Sequence, residues 1–301
     1  MAQSGLVLYD KNCSWEIDYV LSCLLKPLFE DDNTSFVCQL LDTKQILEFA
    51  DVHSEKRILV FTSNLVSFND LKPFVKRFKP HVVIHMSDEW GTKPEFVELA
   101  DLAPLVLRQH WFPNAYSPRS NIFPIPLGVM TGFPLNAFCI KPMLERKFSW
   151  AFIGTINAPR QAMLDKFDKL LALTGPHFVA AGGVPIAQVA AIYNDAVFVP
   201  NERGAVRLDC FRLYEATLSG AIPVVVGSQA EIADTFVHDH DTGGLPPWVF
   251  ASSWEVAAQQ CVELLLSANR LVLQQMQTKN VTWFQKCLTS SQRRIARALA
   301  N

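Results

Sequence analysis

The sequence holds no CxxC pair, and its seven cysteines are scattered and odd in number. That excludes a zinc ribbon and a paired disulfide framework, and leaves free thiols in a reducing compartment as the plain reading. No apolar run approaches the length of a membrane span. The N-terminal MAQSGLVLYDKNCSWEIDYV has no basic region followed by a long apolar stretch, so it is not read as a signal peptide; a cytoplasmic protein without a membrane span is expected. Charge is scarce, at 19% of residues, and balanced, with 27 basic against 29 acidic side chains. Without a basic excess or a long basic run, nucleic acid is not expected as a partner. The first β-prone run is followed by DKNCSW, which contains no glycine, and no GxxxxGK occurs. A nicotinamide-type oxidoreductase and a phosphate-loop enzyme therefore lack their fingerprints.

What is present is a long α/β pattern. With 301 residues, 50% of them hydrophobic, the chain is large enough to bury cores in two domains. Leu6–Tyr9, Phe36–Leu40, Arg57–Phe61 (RILVF), His81–His85 (HVVIH) and Leu105–Gln109 read as short strands. Trp15–Leu28 reads as a helix from the spacing of Ile17, Val20, Leu21, Leu24 and Leu28, and Asn69–Phe78 as another. The segment 110–142 is rich in Pro, Phe and Asn and reads as an ordered loop and linker. From Lys147 the alternation resumes. The strand FSWAFI ends at Gly154, Pro159 opens a helix, and strands are expected at 176–180, 197–199, 222–226 (IPVVV) and 248–250. Terminal helices follow from Leu271. Strands alternating with helices predict parallel sheets, in domains spanning 1–140 and 141–301.

The densest chemical signal is V199-PNERGAVRLDCFRLYEATLSGAIPVVV. A polar loop leaves a strand, and a helix begins near Asp209, which is suited to cap it. Arg212 and Glu215 are three apart and share a face. Open α/β sheets bind ligands at the carboxyl ends of their strands. A diphosphate there needs forked cationic donors, for which Arg203, Arg207 and Arg212 are candidates, with Asn201 beside them. A ribose needs an acceptor carboxylate, for which Glu215 is the candidate, its place opposite Leu218 keeping it out of the packing. The plain alternative is a surface ion pair between Arg212 and Glu215, worth little. A second candidate is GTINAPR, in which Gly154 and Thr155 form a strand-to-helix turn and Arg160 stands in the first helical turn. The alternative there is an ordinary turn with a solvated arginine.

DCFRLYEATLSGAIPVVV resembles the C-terminal signature of exostosin-like glycosyltransferases. PNERG stands where that family places residues near the donor, FSWAFIGTINAPR is similar to its strand, turn and Arg, and RQHWFPNAYSPRSNIFPIPLGV to the segment before its linker. The resemblance covers roughly 105–250. It implies a GT-B fold of two facing Rossmann-like domains, a nucleotide-sugar donor in the C-terminal domain (a UDP-sugar first) and a glycan or glycoconjugate acceptor in the N-terminal one. It implies inverting transfer with no cofactor and no DxD-held metal, and no convincing DxD strand-loop is seen here. Many members carry a membrane anchor; a short, anchorless version suits a viral or bacterial glycan pathway.

Inverting transfer needs a base at the acceptor hydroxyl. HVVIHMSDEW, at a strand end of the N-terminal half, offers Asp88 first, Glu89 next and His85 third, with Arg108 and His110 near them. Each has a structural alternative: His85 as a core histidine, and Asp88 and Glu89 as turn residues. The rival function is a non-catalytic nucleotide- or sugar-binding protein of degenerate GT-B fold.

Overall fold

The computed structural model describes residues 3–29, 34–50, 54–116, 119–135, 139–236, 244–266 and 271–300. The chain divides into two compact units. The first takes the residues up to Leu127 together with those from Cys287 onward, and the second the described residues from Gly128 to Lys286.

The first unit is built on six parallel strands: β1 (Gln3–Asp10), β2 (Thr34–Leu41), β3 (Lys56–Thr62), β4 (Val82–Met86), β5 (Leu105–Arg108) and β6 (Ile122–Pro124), in the order β2-β1-β3-β4-β5-β6. RILVF and HVVIH supply β3 and β4. Both strands are covered on two faces, so they read as continuous apolar runs instead of an alternation. The helix Phe68–Phe78 is capped by Ser67 and buries Phe68, Leu71, Phe74, Val75 and Phe78, the spacing of one helical face. Each such side chain contributes roughly 1.5–3 kcal/mol of burial.

Two expectations change here. The single helix expected over Trp15–Leu28 is instead a π-helix, Tyr19–Leu25, followed by the short α-helix Lys26–Phe29. Pro27 explains the break, since it has no N–H for the Cys23 carbonyl four residues back. That carbonyl accepts from Gln292 Nε2 at 2.7 Å instead. The proline-rich segment 110–142, expected to be loop, contains the short helix Pro113–Tyr116 and the strand β6. Pro124 is tolerated because β6 is an edge strand, with no further neighbour demanding its missing donor.

The second unit holds five parallel strands: β7 (Phe148–Ile153), β8 (His177–Ala180), β9 (Ala196–Asn201), β10 (Ile222–Val226) and β11 (Val249–Ala251), in the order β11-β10-β9-β7-β8. The helix Phe211–Leu218 leads from β9 to β10 and gives way at Ser219–Gly220, where Gly220 takes a positive φ of 72°. The helix Leu271–Ala300 is a single element of 30 residues. Its Asn280 donates to the Ala221 carbonyl and accepts from Trp248 Nε1 and Thr217 Oγ1. Buried Arg146 donates to the carbonyls of Lys141, Tyr193, Ala196 and Ser219, so this end of the sheet is tied by neutral acceptors.

In each sheet the first strand lies between the second and third. The strand order therefore reverses between β1 and β3 in one unit, and between β7 and β9 in the other. Among the described residues no helix is long and apolar enough to cross a membrane.

Candidate functional site

The strand order reverses between β7 and β9, and it is at the carboxyl ends of such strands that doubly wound sheets take ligands. The fold brings both sequence candidates to this place. β7 ends at Ile153 and passes through Gly154 and Thr155 to the helix Ala158–Leu171, whose first turn is capped by the Asn157 side chain on Arg160 N. β9 ends at Asn201 and passes through the loop of Arg203 and Arg207 to the helix Phe211–Leu218.

Arg212 stands at the centre. Its Nε donates to Asn201 Oδ1 at 3.0 Å, and its guanidinium lies over the Phe152 ring at 5.6 Å. A methyl group on Gly154 would approach Arg212 Nη1 to 2.9 Å, so the absence of a side chain at residue 154 leaves the guanidinium its room. Arg160 holds the Thr155 carbonyl through Nη1 at 2.8 Å and reaches the Arg203 carbonyl through Nη2. Burial first, and the Arg212 charge second, lower the pKa of Arg160. The two guanidinium groups are thus close enough to repel. Among the described residues neither forms an ion pair. Two half-buried, mutually repelling cations at one strand-end crevice suit an anion with several oxygens.

The other candidates divide. Arg203 is neutralised by Glu231, at 2.8 Å through Nη1, and so shapes the loop. Arg207 reaches the Asp234 carbonyl at 3.5 Å. Asp209 is buried but does not cap the helix; the N-cap residue is Cys210, whose Sγ donates to Asn201 Oδ1 at 2.8 Å. That second contact was not legible in the sequence. With Oδ1 shared by Cys210 and Arg212, the buried Asn201 Nδ2 has no partner.

Glu215 departs from expectation. It is 2% exposed, and instead of pairing with Arg212 at the surface it accepts from Met130 N at 3.3 Å. The helix Phe211–Leu218 turns Leu213–Thr217 entirely inward, which the spacing from Leu218 did not reveal. Burial pushes its carboxyl up to about 7, against the opposing pull of Met130 N–H and Arg212. Burial first, then Glu215, raises the Tyr193 phenol, against the opposing pull of Arg212.

In the first unit, His85 on β4 and Arg108 on β5 are register partners and in hydrogen-bond contact. Arg108 Nη2 donates to Asp88 Oδ2 at 2.7 Å, and Thr92 N donates to Asp88 Oδ1 at 3.0 Å. His85 is stacked on Phe61 at 4.7 Å. Burial first, then Arg108, holds its pKa well below the usual histidine range. Ser87 and Asp88 both take positive φ, 66° and 65°, a costly pair of conformations for non-glycine residues. Asp88 is thus a buried counter-ion, with both oxygens engaged. Glu89 is half-buried on the following turn.

No family model matches the sequence, and no curated protein matches it. Solved structures do match. An alpha-glucosyltransferase in complex with UDP and a 13-mer DNA containing an HMU base superposes with a TM-score of 0.59, over 98% of this chain and 100% of its own, at 10% identity. A UDP-forming alpha,alpha-trehalose-phosphate synthase from Burkholderia xenovorans superposes with a TM-score of 0.54, over 100% and 99%, at 8% identity. The fold is GT-B. It consists of two Rossmann-like units, each a parallel sheet flanked by helices, as in nucleotide-sugar glycosyltransferases. The exostosin-like resemblance narrows accordingly, since neither protein is named for that family. The exclusion of nucleic acid does not stand either, because a chain of this GT-B fold is seen with DNA. Net charge averages the whole surface and does not report one face of it. Among the described residues no three His, Cys, Asp or Glu side chains gather as a metal site would require.

Proposed function

We propose that this GT-B chain is a glycosyltransferase that binds a nucleotide-sugar donor, a UDP-sugar first, at the β7–β9 crevice. The observation that carries the reading is the pair Arg160 and Arg212: two adjacent guanidinium groups without a carboxylate partner at a strand-order reversal. Their free N–H groups suit diphosphate oxygens and the charge that grows on them as the sugar leaves. Gly154 and Thr155 supply close backbone approach, Asn201 fixes Arg212, and Glu215 accepts from the ribose hydroxyls. UDP is favoured because both like-folded proteins are named for it. Transfer with inversion follows the exostosin-like resemblance.

The acceptor is read as the hydroxyl of a glycan or glycoconjugate. A hydroxyl carried on a nucleic acid is the second reading, favoured by the DNA complex of the like-folded glucosyltransferase. The rival of both is a binding protein that has lost its chemistry. Thermal unfolding with UDP, GDP and CMP, followed by hydrolysis of the matching nucleotide sugars, separates these. Stabilisation with slow donor hydrolysis supports a transferase, stabilisation alone supports a binding protein, and no stabilisation at millimolar nucleotide refutes the reading.

A further inference from the structure

The near-even charge balance of the chain conceals a separation. Six of its 27 basic residues and none of its 29 acidic ones lie beyond Glu263, so the residues up to Glu263 carry 21 basic against 29 acidic side chains. The basic excess falls on the helix Leu271–Ala300, which is 30 residues long and contains no Asp or Glu. Lys279, Lys286, Arg293 and Arg297 are all exposed on it. They follow one another at steps of seven, seven and four residues. At 3.6 residues per turn these steps keep all four within about 40° of one line along the helix, over about 27 Å. Because they stand on one unbroken helix, its geometry alone sets their spacing.

Elsewhere the chain pairs surface cations with carboxylates. Lys11 meets Asp42, Lys72 meets Glu98, Arg119 meets Asp101, and Lys166 meets Glu255. Among the described residues none of the four cations on the terminal helix forms an ion pair. Complementing the helix dipole accounts for Arg297, in the last turn. It does not account for Lys279 or Lys286, which stand in the middle of the helix. Beside the cations the exposed positions include Thr278, Thr282, Gln285 and Thr289, side chains that also donate to phosphate oxygens. A helix that lies on a lipid surface turns Trp, Phe and Leu toward it. Here Trp283, Phe284 and Ile295 are buried, and no large apolar side chain is exposed between Lys279 and Arg297. The stripe is suited to a hydrated polyanion and not to acyl chains.

We propose that this face of the helix Leu271–Ala300 is a nucleic-acid-binding surface that holds the phosphate backbone. Lys279, Lys286, Arg293 and Arg297 make the phosphate contacts, and the neighbouring threonines and glutamine supply neutral donors. A backbone contact of this kind carries no base readout. Its strength comes from the release of counterions condensed on the nucleic acid, so it falls steeply with salt. The acidic excess up to Glu263 disfavours the rest of the surface for the same ligand, so the helix sets where it docks. The assignment stands on this helix and does not depend on the nucleotide-sugar reading.

The test measures binding of a fluorescently labelled DNA duplex of roughly 24 base pairs by anisotropy, in about 50 to 200 mM NaCl. For the wild-type protein log K should fall against log salt with a slope of about −3 to −4, as four neutralised phosphates require, a loss of roughly a hundredfold across that range. Lys279→Gln, Lys286→Gln, Arg293→Gln and Arg297→Gln should each reduce the slope by about 1. The fourfold variant should bind the duplex weakly and with almost no slope, while its melting temperature stays close to the wild-type value. The single variants carry the test where the fourfold one does not fold. Absence of duplex binding by the wild-type protein at the lowest salt overturns the assignment, as does an equal slope in the wild-type protein and the variants. Phosphatidylserine vesicles are the second probe: binding to them and not to the duplex gives the stripe to a lipid surface and overturns the assignment as well.

Discussion

Arg212 donates through Nε to the side-chain oxygen of Asn201 at 3.0 Å, and this one contact aims the guanidinium. Asn201 is the last residue of β9, so the arginine is referred to the sheet itself. Replacing Arg212 with Ala removes charged hydrogen bonds worth about 1.5–3 kcal/mol, which predicts UDP binding weaker by roughly tenfold to a hundredfold. Arg212→Lys should fall near the Ala variant despite its charge, because an ammonium cannot hold Asn201 and fork onto a phosphate together. Calorimetry on the three proteins checks this; a lysine variant with native affinity speaks against the aimed fork.

Gly154 yields a second expectation. A Cβ there would press on Arg212 Nη1, so Gly154→Ala should weaken UDP binding in addition to the stability cost of a side chain at its positive φ of 155°. Gly182, which also has a positive φ but where an added Cβ meets nothing, is the control position, expected to lose stability without losing UDP affinity. Equal effects at both sites would show that the close approach at residue 154 does not matter.

Glu215 predicts a pH dependence. Its carboxyl titrates near 7 because it is buried, and ribose hydroxyls donate to its ionised form. UDP affinity should therefore fall as pH drops below about 7, with proton release on binding at neutral pH. Titrations in buffers of differing ionisation enthalpy measure that release. Glu215→Gln should abolish it.

Glu16, in the loop after β1, is a second buried carboxyl, 5% exposed. Its pKa is raised in the folded protein, from 4.5 to about 7, so the folded state binds the proton more tightly than the unfolded one. Stability from this group is full below about pH 4.5 and is lost as pH rises through 7. The loss amounts to roughly 3 kcal/mol above pH 8. Glu16→Gln, which cannot ionise, should gain on the wild-type protein in urea unfolding as pH rises from 5 to 8. A parallel dependence in the two proteins would remove burial as the cause.

Much of this arrangement was legible in the sequence. IPVVV, RILVF and HVVIH announced buried parallel strands, and Gly154 and Asn201 stood at strand ends, with Arg160 and Arg212 on the helices that follow. Residues placed by tertiary contacts were not legible. A helical pattern assigns charged side chains to solvent, so neither buried Glu215 nor buried Glu16 could be found that way. The latter also precedes the π-helix Tyr19–Leu25, where a regular helix was expected. Asp88 followed a strand end as a base would, but its partner Arg108 comes from another strand 20 residues away.

That buried pair predicts a stability effect. Asp88→Ala leaves the Arg108 guanidinium, 1% exposed, without its carboxylate, at a cost of about 3–5 kcal/mol. Asp88→Asn should cost less, since it keeps an acceptor and tolerates positive φ. Chemical denaturation checks both. Native stability with lost turnover would return Asp88 to the role of base.

The most direct measurement is a calorimetric titration of UDP into the wild-type protein and into the Arg160→Ala, Arg212→Ala double variant, each confirmed as folded. Binding at the β7–β9 crevice predicts a single site in the wild-type protein and no measurable heat in the variant. Equal UDP affinity in the two proteins would contradict it.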